Sequence, residues 1–176
     1  MTGVARDDDH RFSKVPCAEI VLVAGIGVEG DAHAGRTVQH RSRVAADPTQ
    51  PNLRQVHLLA SEFFELAAQE GFELAPGDLG ENVLTAGIDL LALPRDTRLA
   101  LGPDARVRLT GLRNPCLQID SFRPGLLKVA VTRGDDGEVV RRTGVMAVVE
   151  HGGRVAPGDA VRVELPEEPH QPLERV

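Results

Sequence analysis

Short runs of apolar residues, separated by turn-forming residues, recur along most of the chain. Some runs alternate apolar with polar residues, as in residues 105–112 and 160–165, which is the period of a half-buried β-strand. Others are continuous and rich in Val, Ile and Leu, which is typical of a buried strand. The predicted strands are residues 19–24, 56–60, 82–85, 97–101, 105–112, 126–132, 139–142, 145–150 and 160–165, with turn signals between them such as residues 133–137. Many short strands at this spacing predict a mostly β fold, either a barrel or a sandwich.

One helix is predicted, directly after the strand at residues 56–60. Ser61 is a typical N-cap residue, and Gly71 is a natural stop. Between them Phe63, Phe64 and Ala67 recur at the spacing of one helix face. The pattern therefore predicts a helix that ends near residue 70.

Three segments lack a periodic pattern. Residues 1–18 are expected to form a loose N-terminal arm before the main domain at residues 19–165, and residues 166–176 an extended, proline-rich tail. Residues 25–54 form a long irregular stretch rich in Gly, His, Arg and Asp. Loops longer than about 15 residues in a compact domain are usually functional or disordered, so this stretch is a candidate for function.

The composition is that of a globular protein and argues against several functional classes. The chain has 176 residues, of which 41% are apolar and 26% charged. A net charge of −6 and the absence of Trp and Tyr argue against nucleic-acid binding. The longest apolar run is far shorter than the roughly 20 residues of a membrane-spanning helix, and the acidic N-terminus is unlike a signal peptide. We expect a cytoplasmic protein with no nucleic-acid or membrane partner.

Residues 25–30 contain a complete G-x-G-x-x-G motif after a predicted strand, which is the dinucleotide-binding fingerprint. That fingerprint must open an amphipathic helix and lead to a second strand that ends in an acid about 20 residues on. Residues 31–41 have almost no apolar face, and Asp47 has no strand before it. We interpret the glycines as a tight turn. The alternative is a loop whose backbone N–H groups approach an oxyanion.

Two polar clusters are further candidates. Asp31 and His33 would share a face if extended, and they predict a hydrogen-bonded structural pair, a pair directed at a ligand, or part of a metal site. Gly80, Glu81 and Asn82 combine a permissive glycine, a carboxylate and an amide at the start of a strand. They predict either a locally bonded turn or a binding pocket.

Arg113-Asn-Pro-Cys116 follows the strand at residues 105–112 and is the strongest candidate for chemistry. Pro115 makes a stiff corner, and the Cys116 thiol stands near a guanidinium. A thiolate there can serve as a nucleophile, a sulfur carrier or a soft metal ligand. The alternative is a small buried hydrophobe, the commonest role of a single cysteine. Cys17 is far away in sequence, and no C-x-x-C pair is present.

These motifs, in this order, resemble the MOSC domain family, named for the C-terminal part of molybdenum cofactor sulfurases. The matching segments are residues 30–35, 76–82, 87–90, 101–102, 113–116, 144–147 and 153–159. The resemblance implies a closed or partly open β-barrel with one or a few short helices. It also implies a role with the molybdenum cofactor, a pterin that carries a dithiolene and a phosphate.

The resemblance also implies particular site residues. The family's R-x-P-C cysteine is thought to carry a persulfide or to ligate molybdenum, and that role maps onto Cys116. The residues expected to form the cofactor pocket are Gly30, Asp31, His33, Gly35, Arg36, Gly80, Glu81, Asn82, Arg113 and Asn114.

The chain looks like the stand-alone bacterial form of the family, without a pyridoxal-phosphate desulfurase domain. Some such members are linked to reduction of N-hydroxylated compounds. The resemblance therefore implies a molybdenum-dependent oxidoreductase component that acts on a small molecule and draws electrons from an external donor. One alternative is a sulfur carrier that holds a Cys116 persulfide, supplied by a donor protein, for assembly of the cofactor or of a metal–sulfur cluster. Another is a β-barrel interaction protein with a structural cysteine.

Overall fold

The structure, a computed structural model, describes residues 1–134 and 137–176. Strands contain far more residues than helices do, which confirms the predicted mostly β class. The strands are β1 Gly3–Arg6, β2 Val15–Cys17, β3 Ile20–Val23, β4 Gly27–Val28, β5 Val56–Ala60, β6 Val83–Thr85, β7 Arg98–Leu101, β8 Ala105–Leu112, β9 Val131–Arg133, β10 Val139–Arg141, β11 Val145–His151, β12 Gly153–Val155 and β13 Val161–Glu164. The helices are α1 Arg41–Ala46, α2 Glu62–Gln69, α3 Gln118–Phe122 and α4 Leu126–Ala130.

Eight strands form one sheet, in the order β13-β7-β8-β11-β5-β6-β1-β2. All neighbours are antiparallel except β5 and β6, which run parallel and are joined through α2. A three-stranded sheet has the order β12-β3-β4, and β9 and β10 form a hairpin. In the large sheet β13 and β2 are edge strands. The barrel closure that the family resemblance implies therefore stays a prediction.

The two faces of β5 and β6 are both buried, but in different hydrophobic clusters. Leu58 and Val83 belong to the main core, which also receives side chains from β3, β7, β8, β11 and β12. Leu59 and Leu84 belong to a second cluster with α2, α3 and α4. Side chains alternate along a strand, so His57 of β5 projects to the same face as Leu59. This face carries the helices and, beside them, the candidate site.

Eight of the nine predicted strands are confirmed as β3, β5, β6, β7, β8, β10, β11 and β13. The predicted helix is also confirmed as α2, with Ser61 at the N-cap position, although its side chain makes no capping hydrogen bond. Gly71 ends this helix with φ near +85°, a conformation that favours glycine. The turn predicted at residues 133–137 includes Asp135 and Asp136, which lie outside the described residues.

The strand predicted at residues 126–132 is wrong over most of its length, because residues 126–130 form the helix α4. Leu126 and Ala130 are one helical turn apart and both are buried in the second cluster. Burial of this pair outweighs the β propensity of the neighbouring valines. The prediction of a single helix is accordingly incomplete, since α1, α3 and α4 are also present.

The N-terminal residues are part of the sheet and do not form a loose arm. β1 pairs with both β6 and β2, and Val4 and Ala5 are buried. The apolar stretch at residues 3–5 is too short to show a strand period, so its pairing depends on partners far along the chain. The end of the tail, residues 174–176, lies beside β8, where the backbone N–H of Leu112 donates to the carbonyl of Glu174 over 2.7 Å.

Gly25 lies in the turn between β3 and β4, Gly27 begins β4, and Gly30 lies in the turn after it, as the interpretation against a dinucleotide site predicts. Gly25, Gly27 and Gly30 all have positive φ, and the segment leads into a strand rather than a helix. None of the described helices is long and apolar enough to cross a membrane.

Candidate functional site

A cavity of about 560 Å³ opens on the sheet face that carries His57 and Met146. These two residues are partners across β5 and β11. The remaining walls come from loops that are far apart in sequence, at residues 10–14, 33–43, 52–54, 79–82 and 113–118. The cavity is therefore assembled by the topology rather than by one continuous segment.

The cavity lining is strongly basic, although the protein as a whole carries a net charge of −6. Five cationic side chains and four histidines contribute to it, and no Asp or Glu of the described residues does. These side chains are Arg11, Lys14, Arg43, Arg54, Arg113, His10, His33, His40 and His57. Two of the cations are already paired with carboxylates outside the lining, Lys14 with Asp31 and Arg11 with Asp7. A concave basic surface in an acidic protein favours an anionic ligand.

Arg113 is the most informative side chain of this surface. It is 8% exposed, and its Nη1 atom has no hydrogen-bond partner among the described residues. Its guanidinium lies 5.8 Å from the ring centroid of Phe12. Burial lowers the pKa of Arg113, while the charges of Cys116 and Glu81 raise it. A buried guanidinium without an ion-pair partner is costly, and an anion bound in the cavity would compensate it.

The backbone of Arg113 is held on both sides by residues 143 and 144. Its N–H donates to the carbonyl of Gly144 over 3.0 Å, and the Thr143 hydroxyl donates to its carbonyl over 3.2 Å. A Cβ on Gly144 would collide with the Leu58 carbonyl, and its φ is +84°, so this position requires glycine. The loop that carries Arg113 is therefore tied to the start of β11.

Cys116 lines the same cavity and is half-buried. Its thiol donates to the Gln118 side-chain oxygen over 3.3 Å. Cys17, by contrast, packs against the main core. The surroundings of Cys116 are thus polar and accessible, which argues against its interpretation as an inert core cysteine.

Arg43 and Arg54 extend the cationic surface beyond Arg113. The pKa of Arg54 is lowered to about 10. Burial is the largest cause, and the charges of Arg43 and Arg113 act in the same direction. The electrostatic interaction with Cys116 acts in the opposite direction and raises the pKa of Arg54. The Arg54 guanidinium is therefore repelled by those of Arg43 and Arg113, and a multiply charged anion bound in the cavity would relieve that repulsion.

Asp31 is the centre of a buried hydrogen-bond network behind the cavity wall. It forms an ion pair with Lys14, and both side chains are almost fully buried. It also accepts from the Asn82 side-chain amide over 2.9 Å and from the backbone N–H of His33 over 2.9 Å. Burial alone would raise the pKa of Asp31, but hydrogen bonds from His33 and Lys14 and the charge of Lys14 outweigh it and lower that pKa. Asp31 is a structural anion that positions Lys14, Asn82 and His33.

The histidines have distinct environments. The His33 Nδ1 atom lies 3.3 Å from Asp31, and its ring stacks on His10 with centroids 5.2 Å apart. His57 donates from Nε2 to the Thr143 carbonyl over 2.7 Å. Burial and the charge of Arg113 lower the pKa of His57 well below its usual value, so this ring is neutral. The Asp31–His33 contact confirms that these two residues form a hydrogen-bonded pair, and a role of this pair toward a ligand or a metal stays a prediction.

Glu81 also lies behind the cavity, in a buried pocket of backbone donors. It accepts from the N–H of Gly77 over 2.5 Å and from that of Leu79 over 3.2 Å. Burial raises the pKa of Glu81 to about 7, although these bonds and the charge of Arg113 act to lower it. The carboxyl therefore changes its protonation state near neutral pH.

Among the described residues, one group of His, Cys, Asp or Glu side chains lies close enough together to hold a metal ion. In the described part of the chain, Asp7, Asp8 and Asp9 form the single group of three or more such residues whose ligand atoms lie within 4.8 Å of one another. That group does not line the cavity. Cys116 would thus be a lone protein ligand to a metal brought in by a cofactor.

The family model of the MOSC domain matches residues 30–162, which is most of the chain. This chain belongs to the MOSC domain family. The resemblance inferred from the ordered motifs is confirmed. No curated protein matched the sequence of this MOSC chain.

Several solved structures share the MOSC fold. YuaD from Bacillus subtilis superposes with a TM-score of 0.74 and 24% sequence identity, and 94% of each chain is covered. YiiM from Escherichia coli has a TM-score of 0.61 and 17% identity, over 96% of this chain and 71% of that protein. YiiM from Geobacillus stearothermophilus has a TM-score of 0.57 and 16% identity, over 93% of this chain and 71% of that protein. At these levels of sequence identity, the similarity shows a shared fold and does not extend to function.

The MOSC motif residues fall into two groups around the cavity. Those that line it are His33, Gly80, Asn82, Arg113, Asn114 and Cys116. Those that do not line it are Gly30, Asp31, Gly35, Arg36 and Glu81. Asp31 and Glu81 stand directly behind lining residues, and the carbonyl of Gly35 accepts from the Asn52 side chain over 3.0 Å. A ligand-binding role for all eleven residues stays a prediction.

Several lining residues of this MOSC chain are absent from the family motifs. Phe12 and Lys14 belong to the segment predicted as a loose arm, and Arg54 ends the long irregular stretch. Lys14 carries a weak signal, because it is one of only two lysines in the chain. Phe12 and Arg54 carry none, since their position depends on the packing of distant segments.

The state of Glu81 predicts how the stability of this MOSC chain varies with pH. A carboxyl whose pKa is higher in the folded than in the unfolded state contributes stability at low pH, which is lost as the pH rises through about 7. We expect the contribution of Glu81 to the free energy of unfolding to fall between about pH 5 and pH 7, so that the wild type loses stability with rising pH relative to Glu81→Gln, which cannot titrate at this position. Urea unfolding at a series of pH values measures both slopes.

The change of the free energy of unfolding with pH, and not its absolute value, tests the role of Glu81. The glutamine amide would face a backbone N–H donor, so Glu81→Gln is expected to be less stable at low pH. Glu73→Gln, at an exposed position, is the matched control and should reproduce the wild-type slope. Identical slopes in Glu81→Gln and wild type would contradict the prediction.

Proposed function

We propose that this MOSC protein binds the molybdenum cofactor in the basic cavity, with Cys116 as the protein ligand to molybdenum. The observation that carries the proposal is that a buried arginine, whose Nη1 atom has no hydrogen-bond partner among the described residues, and a half-buried thiol line the same cavity. The first favours a bound anion, and the second favours a soft metal. The volume of about 560 Å³ lies in the range of roughly 300–1,000 Å³ typical of small-molecule sites.

The residues present fit the chemical parts of this cofactor. Arg113, Arg54 and Arg43 would hold the phosphate, because planar guanidinium groups donate two parallel hydrogen bonds to phosphate oxygens. Cys116 would supply a thiolate to the metal. When bound, the cofactor supplies two-electron redox chemistry at molybdenum.

His33 would act as a proton carrier beside the bound substrate. Asp31 holds its Nδ1 side and, with the buried Lys14 ion pair, stays ionised, so the proton that His33 exchanges would be at Nε2. Stacking against His10 fixes the plane of the ring. Reduction of N-hydroxylated compounds, a small-molecule oxidoreduction, is the reaction that the family resemblance suggests.

A separate protein would supply the electrons. This chain has two cysteines, too few for a four-cysteine iron–sulfur cluster. We also retain as proposals a cytoplasmic location and the family's barrel architecture, for which an experimental structure would be the test.

Molybdenum content tests the proposal directly. Protein expressed in a host that makes the cofactor should contain close to one equivalent of molybdenum, and Cys116→Ser should lose it while Cys17→Ser retains it. Because the chain has neither Trp nor Tyr, absorbance of a bound pterin would be seen with little protein background. Retention of molybdenum by Cys116→Ser would overturn the assignment of the ligand.

The sulfur-carrier function is the second candidate, favoured by the accessibility of the Cys116 thiol. Mass spectrometry of freshly isolated protein would then show an added sulfur atom on Cys116, under conditions that preserve persulfides. Molybdenum without added sulfur supports the first function, and added sulfur without molybdenum supports the second.

A further inference from the structure

The large sheet ends at two edge strands, β2 and β13, which differ in how well they are protected. An edge strand presents unpaired backbone N–H and carbonyl groups, and these can pair with a strand of another chain. β2 has three residues, and Pro16 at its centre lacks an N–H donor. β13 contains neither proline nor lysine. Of the two edges, β13 is therefore the better template for a further strand.

The outer side of β13 is uncovered in the part of the chain that the structure describes. No described strand pairs with β13 on the side away from β7. Val163 is 39% exposed, and Leu165, directly after the strand, is 58% exposed, although both side chains are large and apolar. Val161, on the same face, packs against the main core. The main core thus ends in an apolar strip that a further strand would cover.

The ladder between β13 and β7 determines which backbone groups of β13 point outwards. The Gly102 N–H donates to the Ala160 carbonyl over 2.9 Å, and this pair continues the register that sets Val161 opposite Leu101. Hydrogen-bonded and non-hydrogen-bonded positions alternate along an antiparallel ladder, so the even-numbered residues of β13 bond to β7. The N–H and carbonyl groups of the odd-numbered residues, centred on Val163, therefore point away from the sheet.

The sequence of residues 161–165 is complementary to itself when two copies run antiparallel. With Val163 opposite Val163 of a second copy, Arg162 stands opposite Glu164, and Val161 stands opposite Leu165. Opposite charges then face each other on one side of the strands, and apolar side chains meet on the other. The same register brings the outward-pointing backbone groups of the odd-numbered residues opposite one another.

We propose that this chain forms a symmetric homodimer in which the β13 strands of two copies pair antiparallel about Val163 and join the two large sheets. A two-fold interface needs the same self-complementary patch on both copies, and residues 161–165 supply it. The inference goes beyond the proposed function and does not depend on it, because neither the cavity nor a cofactor takes part.

The charged residues of β13 fix the register of this dimer. A slip by two residues in either direction sets Arg162 opposite Arg162 or Glu164 opposite Glu164, and like charges directly opposite each other are destabilising. In the described part of a single chain, Glu164 pairs with Arg106 over 3.3 Å, whereas no ion pair involves Arg162. In the dimer Arg162 gains an acidic partner, and Glu164 is shared between two arginines.

Sedimentation of the full chain at high micromolar concentration tests the proposal, and the wild type should have the mass of two chains. Val163→Pro removes an N–H that points outwards, so it should yield a monomer while the ladder to β7 is retained. Val163→Thr keeps the N–H and the branched shape, and as the matched control it should stay dimeric. Circular dichroism of both variants checks that the fold is unchanged.

Charge reversal tests the register without any change to the backbone. Arg162→Glu places a carboxylate opposite Glu164 and should raise the dissociation constant of the dimer by about tenfold or more. The double variant Arg162→Glu/Glu164→Arg restores opposite charges across the two-fold axis and should recover most of that loss. The exposed pair of Glu164 with Arg106, which the double variant also loses, contributes little.

Three results would overturn the proposal. The first is a wild type that is monomeric at high micromolar concentration, and the second is a dimer that Val163→Pro and Arg162→Glu leave unaffected. The third is a double variant that dimerises no better than Arg162→Glu. The proposed cofactor site has a separate readout in molybdenum content, so either proposal can fail without the other.

Discussion

Replacement of Asp31 by alanine is expected to lower the free energy of unfolding by about 3–5 kcal/mol. The Lys14 ammonium, 5% exposed at its side chain, would lose its ion-pair partner, and the Asn82 amide and the His33 backbone N–H would lose an acceptor. For a chain of this length each kcal/mol shifts the midpoint of thermal unfolding by about 2–4 °C. Differential scanning calorimetry should therefore show a midpoint lower by about 6–20 °C.

Two further variants separate the buried charge from other effects of Asp31→Ala. Asp8→Ala removes an exposed carboxylate of the same N-terminal region and should shift stability by less than about 0.5 kcal/mol. The double variant Lys14→Met/Asp31→Leu removes both charges and should recover a large part of the loss. A midpoint for Asp31→Ala within about 2 °C of the wild type would contradict the central role of this network.

Replacement of Arg113 by methionine is expected to have the opposite effect on stability and to abolish anion binding. The guanidinium is buried and has no ion-pair partner in the part of the chain that the structure describes, so an apolar side chain of similar length removes a desolvation cost. The contact with Phe12 offsets part of this gain, by about 0.5–1 kcal/mol. We expect a net stabilisation of about 1–2 kcal/mol.

The effect of an added anion on thermal unfolding tests whether Arg113 binds anions. Inorganic phosphate, which binds the folded state, should raise the unfolding midpoint of the wild type and of the exposed control Arg162→Met, but not that of Arg113→Met. An Arg113→Met protein that is less stable than the wild type would mean that the guanidinium is satisfied by the fold itself. A phosphate-induced shift that persists in this variant would remove Arg113 from the anion site.

The strands were predictable wherever local pattern and turn chemistry agree. In β8, alternation over residues 105–112 reflects one face in the core and one face outside, and the sequence at residues 101–103 marks the turn before it. β1 could not be predicted in this way, because Val4 is buried through pairing with residues about eighty positions away. The run at residues 126–130 has apolar residues at both helical and strand spacing, and packing against α2 and α3 decided between them.

The candidate site was predictable only where neighbouring residues carry the chemistry. Arg113 and Cys116 lie on one short loop, so their proximity follows from the sequence itself. Two other features depend on how the loops fold over the sheet. One is the ion pair of Asp31 with Lys14, and the other is the position of the Glu81 carboxyl group among backbone donors behind the cavity. The unpartnered state of the Arg113 Nη1 atom is likewise a property of the packed structure, and no pattern of residues reveals it.

The wall of the cavity at residues 10–14 has a consequence for protein engineering. These residues lie outside the stretch that matches the family model, which starts at residue 30. A chimera made by transplanting only the matched stretch into another scaffold would leave one side of the binding chamber open, without Phe12 or Lys14. Conversely, exchanging the first 29 residues between relatives offers a route to altered ligand preference in which the cysteine loop is left untouched.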